Sequence, residues 1–388
     1  MRWEGPYWLV CAGFALLLAA TTTLTSHRVW GVCAAAAYAG AALLAGREPR
    51  PWARNSAIAA VTGAVLVPLA LLMVLGTAQS EVGVVERSAD LLLNTGTPYA
   101  AHPVGVGDFN PYLPGMAVFG LPHALLGDTP FADARLWFAA VFLLSMTLAA
   151  RYVTNVPEVA RGSARRLVPR VNSALLLTSC PAVALPLVVG GVDLPVVGLM
   201  CLGLALAGRV GRSTASGEVM GAAAALKWTA WPLLAVGLAL IAVTSGRRAA
   251  IRAAATALLV SAVAVVPSVV ADPHAFVEHV VLFPLGAAGT GSPATSPLPG
   301  YLLAHNVPGG RAIAVGALTV SVVALAASLF IRPPRTVTAA ADRLALGLAL
   351  AMCLMPATRF GYLVYPLVLV AWFHQERERT RHPFRTHR

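Results

Sequence analysis

Glu81, Glu86, Arg87, Asp90 and Asp108 crowd into one stretch, Glu81 to Tyr112, of a chain that is otherwise one apolar segment after another. Further on, Asp193 stands in a Gly-Gly-Val-Asp turn, Lys227 and Arg359 interrupt apolar runs, and His274, His279 and His305 are scattered over 272–311. A carboxylate can take a proton from a hydroxyl, and a lysine or arginine can hold the charge that develops on a departing phosphate. Ionisable groups beside apolar spans are costly to keep, which points to use. Glu81 is the first candidate base, because it lies at the favourable N-terminal end of a predicted helix; Asp108 is the second. Lys227, Arg359 and Arg87 are candidate phosphate ligands. Asp90, Asp193, Tyr112 and His305 complete the candidate substrate-binding set.

Plainer readings stand beside these. Glu86 and Asp90 flanking Arg87 also fit a solvated helix face, and Asp193 fits a turn-former or helix cap. The histidines have no HExxH or similar spacing, so no metal site is expected. No phosphate-cradling glycine motif for nucleotides and no Ser-His-Asp pattern stands out, so no cofactor is expected. The five cysteines lie inside apolar runs without a CxxC pair and read as small buried hydrophobes.

The elements that must position these groups are membrane helices. With 58% hydrophobic and 11% charged residues and a mean hydropathy of +0.74, the chain cannot cover a soluble globule of its 388 residues. Its apolar runs match the length needed to cross hydrocarbon, and about eleven to thirteen membrane segments are expected. The formal charge of +12 sits in short loops and at the C-terminus, a positive-inside pattern and not a nucleic-acid footprint. The first apolar run, Tyr7 to Leu24, reads as a retained helix.

Taken in order, residues 1–54 form a helical hairpin joined at Ser26 to Val29. The loop after it, with Arg47, Arg50 and Arg54, is expected inside. A transmembrane region follows over 55–376, and a basic tail, 377–388, is expected in the cytoplasm. Two long loops, 79–114 and 272–311, fall on the extracytoplasmic side of a plasma-membrane protein. In the first, Val82, Val85, Ala89, Leu92 and Leu93 share one face of a predicted interfacial helix over Glu81 to Asn94, ended by Asn-Thr-Gly-Thr-Pro. Gly115 to Leu126 is short enough to be re-entrant. Arg151, Arg161, Arg165, Arg166 and Arg170 mark another inner loop. Both ends of Val219 to Ser245 are flanked by arginines, which predicts a break at Lys227-Trp-Thr-Ala-Trp-Pro232, with Pro232 as its cause. In the second loop, Phe283, Pro284, Tyr301, Leu302 and Leu303 suit a packed lid better than a free linker.

The order EVGVVERSADLLLNTGTPY, NPYLPGMAVFGLP, GGVDLPVV, AALKWTAWPLL and PATRFGYLVYPL, spread over about residues 80–370, resembles the GT-C glycosyltransferases that use polyprenyl-phosphate sugars. It is most similar to the actinobacterial glycosyltransferase family 87 group with its α-mannosyltransferases. The resemblance implies a GT-C-type bundle whose large first extracytoplasmic loop carries the base. The family's usual Asp, about eighteen residues before the Tyr of the PY pair, falls on Glu81 when counted back from Tyr99. It further implies a polyprenyl-phosphate-mannose donor and a lipid-linked or cell-envelope glycan acceptor. A polyprenyl-phospho-arabinose donor is the alternative within the class. A lipid or sugar transporter would line a path to both faces with polar residues, whereas here they gather on one; a structural subunit with a degenerate loop is a third class.

Overall fold

The computed structural model describes residues 3–47, 54–153, 175–290 and 294–381, with side chains as far as Gln375. The protein is an all-α polytopic membrane protein. Among the described residues eight helices are long and apolar enough to cross a membrane, joined by three shorter apolar ones, Pro114–Leu126, Asp193–Ala207 and Phe360–Gln375. No strand occurs among them, only an isolated bridge between Thr295 and Thr358. Arg50, Arg161, Arg165, Arg166 and Arg170, expected in inner loops, and the charges of the tail 377–388 lie outside what is described.

Helices α1 (Glu4–Thr21) and α2 (Thr25–Arg47) form the hairpin, with its turn at 22–24, ahead of the expected Ser26 to Val29. Arg54–Val74 makes α3, whose middle, Thr62–Leu66, is a π-helical turn. Pro68 explains the irregularity: it has no N–H for the carbonyl four residues back, Ala64. That carbonyl instead accepts from the Trp30 indole at 2.9 Å, which ties the hairpin to α3. Tyr38 donates to the Ser179 carbonyl at 2.6 Å and continues the same core.

Helix α4 (Ser80–Thr95) is the predicted interfacial helix, closed by Gly96 at φ 78°. Its buried face is Val82, Val85, Ser88 and Ala89. The expectation for Leu93 is corrected, since it is exposed: the helix turns its last leucine away from the core and buries Ser88 instead. The apolar stretch Pro114–Leu126 opens with the 3-10 turns of Pro114–Gly120 and lies across α4; a Cβ on Gly120 would sit 2.3 Å from the Val85 carbonyl oxygen.

Next come α5 (Ala134–Val153), α6 (Pro181–Val189), α7 (Asp193–Ala207) and α8 (Ser213–Leu226). The chain then breaks as predicted, but Pro232 is not the wedge. It sits in the first turn of α9 (Trp231–Ser245), where its missing N–H costs nothing. The break lies earlier, at Lys227, whose φ of −159° and ψ of 144° are extended. The open carbonyls at the end of α8 are satisfied from outside the helix: Leu226 O accepts from Leu113 N at 3.1 Å, and Ala224 O from the Trp231 indole at 3.1 Å.

Helices α10 (Arg247–Ala271), α11 (Gly310–Ile331), α12 (Val337–Leu354) and α13 (Val364–Arg381) finish the bundle. Between α10 and α11 the second long loop folds into short helical pieces, Pro273–Val277, Glu278–Leu282 and Pro299–Asn306. It packs on the first long loop, with Phe283 stacked on Phe109 (4.3 Å, 6°) and Phe276 against Tyr99. Leu302, expected in that packing, is exposed.

Candidate active site

Four helix ends bring the ionisable groups together. Glu81 enters from the first turn of α4, Asp193 from the first turn of α7, Lys227 from the gap between α8 and α9, and Arg359 from the turn before α13. Two ion pairs result, Lys227 Nζ–Asp193 Oδ1 at 2.5 Å and Arg359–Glu81. They belong to one cluster, because Glu81, Asp193 and Arg359 all act electrostatically on the fully buried hydroxyl of Tyr112, and Lys227 feels both carboxylates.

The backbone around each group accounts for its place. The N–H of Gln79, the residue before α4, donates to Val189 O at 2.8 Å, so the start of α4 is pinned to the turn that carries Asp193. Gly190 has a φ of 133°, and a Cβ there would lie 2.4 Å from Val82 Cγ2. Only glycine allows both the turn and that approach. Gly115 packs on Ala225, where an added Cβ would lie 2.8 Å from the Ala225 carbonyl oxygen, and this lays the 110–115 segment against the break. Lys227 therefore sits over two aromatic faces, Tyr362 at 4.8 Å and Tyr112 at 5.5 Å.

Three members of the cluster escaped the sequence reading. Tyr365 donates to Asp193 Oδ1 at 2.7 Å and accepts from Thr229 at 3.0 Å. Tyr362 supplies the second ring under Lys227. Arg135, only 2% exposed, grips Asp133 with Nε and Nη2, and its Nη1 reaches Thr77 O and Val188 O at 3.0 and 3.3 Å. It thereby joins the segment leading to Glu81 with the segment leading to Asp193. The sequence signal for the tyrosines was their spacing of one helical turn in GYLVYP; for Arg135 it was an arginine two residues after an aspartate at the head of an apolar span.

Other predicted site residues are occupied elsewhere. Asp108 is exposed and accepts from Val104 N and Gly105 N at 3.1 and 2.8 Å; these bonds to the charged form hold its carboxyl below the usual range. It shapes its own loop. Arg87 donates to the Gly107 carbonyl at 2.6 Å. Asp90 makes no side-chain hydrogen bond among the described residues. Glu86 accepts from Ala134 N at 3.2 Å, and burial pushes its carboxyl up. His305 is exposed, stacked on Tyr301 and bonded to its carbonyl.

His279 is a clamp between the two long loops. Its Nδ1 accepts from Asn110 N at 2.9 Å, so Nε2 carries the proton and donates to Ala100 O at 2.9 Å. It is fully buried, and burial lowers its pKa. Asn110 extends the clamp to Ser88 Oγ at 2.9 Å and Pro98 O at 3.3 Å.

Carboxylates and caged cations at converging helix ends can remove a proton from a hydroxyl and hold an anionic leaving group. A model of glycosyltransferase family 87 matches residues 110–356, well over half of the chain. The chain belongs to glycosyltransferase family 87. It is a membrane glycosyltransferase. No curated protein and no solved structure gives a match. The family 87 match includes Tyr112, Asp193 and Lys227, while Glu81 and Arg359 flank it; the fold brings the flanks back to the matched centre. Among the described residues no group of His, Cys, Asp and Glu is placed to hold a metal ion.

Proposed function

We propose that this family 87 enzyme is a GT-C-type glycosyltransferase that moves mannose, with inversion, from a polyprenyl phosphate to a lipid-linked or cell-envelope glycan on the extracytoplasmic face of the plasma membrane. The observation that carries this reading is the convergence of two carboxylate–cation pairs at the helix ends of an apolar bundle. Glu81 takes the proton of the acceptor hydroxyl. The acceptor oxygen attacks the anomeric carbon, and the bond from that carbon to the phosphate oxygen breaks with its electron pair leaving on the phosphate. Lys227 and Arg359 hold the charge that develops there. Asp193 fixes Lys227, and Tyr112 and Tyr362 wall the cation from water. An apolar bundle suits a donor delivered through the bilayer with its prenyl chain in lipid.

The test is sugar transfer by purified protein in lipid, given radiolabelled polyprenyl-phosphate-mannose and an envelope-lipid extract. Wild type is expected to give labelled product, and Glu81→Gln, folded as judged by thermal unfolding, to lose it. Product that survives the substitution moves the base to another carboxylate. Transfer from a polyprenyl-phospho-arabinose donor alone changes the sugar and keeps the mechanism.

A further inference from the structure

The two carboxylate oxygens of Glu81 face different neighbours. Oε1 accepts from the Arg359 guanidinium, whereas Oε2 accepts from the exposed Ser80 hydroxyl at 3.3 Å. In the reading above, the cation side is where the phosphate leaves. Inversion requires the attacking hydroxyl to reach the anomeric carbon from the face opposite the departing oxygen. The acceptor therefore comes in on the Oε2 side, beside the residues just ahead of α4.

The side chain standing there is Gln79, two residues before Glu81. Its backbone N–H is fixed on Val189 O at 2.8 Å, and a Cβ added to Gly190 would lie 3.7 Å from the Gln79 Cβ. Its amide is held from a third element, the first turn of α2. Gln79 Nε2 donates to His27 Nε2 at 3.3 Å, so the histidine carries its proton on Nδ1 and donates it to Ser26 Oγ at 3.3 Å. The amide oxygen, Oε1, makes no hydrogen bond among the described residues. An amide fixed at one end and open at the other is the kind of polar group with which a site recognises a hydroxyl.

We propose that Gln79 Oε1, oriented by His27, accepts a hydrogen bond from the sugar acceptor, at a hydroxyl next to the one whose proton Glu81 takes. The inference rests on the assignment of Glu81 as base made above and adds the acceptor side of the same site. A glycan with neighbouring hydroxyls engages both residues at once; a simple alcohol engages Glu81 alone. His27 is a positioning residue, because it reaches the acceptor only through Gln79. His27 and Gln79 both lie ahead of the matched residues 110–356, so the N-terminal hairpin takes part in acceptor choice.

The test is mannose transfer by the full-length protein in lipid nanodiscs, with labelled polyprenyl-phosphate-mannose held fixed while an envelope-lipid extract is titrated by mass, and then the reverse. Gln79→Leu keeps the bulk and removes the amide. Its apparent KM for the extract is expected to rise roughly tenfold, the loss of about one hydrogen bond, with the donor KM unchanged. His27→Ala is expected to raise the same KM, and His27→Gln, which keeps a partner for the amide, to bring it back. An extract KM that stays put, or a donor KM that rises in step with it, would overturn the assignment. Should Gln79→Leu fail to fold, as judged by thermal unfolding, the two His27 variants decide: a rise that glutamine reverses supports the proposal, and no rise, or no reversal, overturns it. A wild type that transfers no sugar from any polyprenyl-phosphate donor instead sinks the functional reading beneath it.

Discussion

Tyr365 and Asp193 meet at 2.7 Å on the same carboxylate oxygen that holds Lys227 at 2.5 Å. The tyrosine is fully buried, so its hydroxyl has no water to fall back on. Tyr365→Phe keeps the ring and removes one bond to a charged acceptor, at a cost of about 1.5–3 kcal/mol. Thermal unfolding should drop accordingly, and transfer should fall mainly through a raised donor KM as Lys227 loses its alignment. Unchanged kinetics would leave the tyrosine a packing role only.

Breaking the Asp193–Lys227 pair from one side strands a charge in a nearly closed site. Asp193→Asn or Lys227→Met alone is expected to cost about 3–5 kcal/mol. The double substitution should recover part of that stability and none of the activity, because the pair's role in transfer is not replaced. Unfolding curves and transfer rates for the three variants check both halves.

Arg135 ties Thr77 and Val188 to one guanidinium, and so sets Glu81 against Asp193. Lysine retains the charge but not the planar fork. Arg135→Lys should therefore lower kcat by at least an order of magnitude and shift its pH profile, at a modest loss of stability. A variant that loses stability alone would make Arg135 a scaffold residue and nothing more.

Gly190 has a φ of 133°, and a Cβ added there would lie 2.4 Å from the Val82 Cγ2 methyl. Gly190→Ala combines backbone strain with a clash, each about 1–3 kcal/mol. It is expected to reduce both expression of folded protein and transfer, and Val82→Ala in the same chain should relieve the steric part.

The His279 clamp has a definite pH sign. Its folded pKa lies below the ordinary 6.5, so the unfolded chain takes up the proton first. The clamp's contribution is full above about pH 6.5 and declines as the pH falls through that value towards the folded pKa. Protonation of Nδ1 also removes the acceptor for Asn110 N. Hydrogen exchange over residues 97–112 should quicken as the pH is lowered from 7.5 to 5.5 after correction for intrinsic rates. His279→Gln should abolish that slope.

What the sequence determined by itself is local. Hydropathy and length give the helices, because crossing a membrane needs only enough consecutive apolar residues. Spacing gave α4 to within a residue or two, since three of the five apolar residues predicted on one face do bury together. The arginines at both ends of one apolar run were sufficient to place a break within Lys227 to Pro232. The same local logic misjudged Pro232, which is harmless in a first turn. Tertiary structure alone decided which charges meet. Glu81 and Arg359 are 278 residues apart and Lys227 and Asp193 are 34 apart; no periodicity links them. Their pairing depends on Gly190, Gly115 and Arg135 allowing separate helix ends to approach. A pattern read along one helix cannot see that approach, because it is fixed by packing between helices.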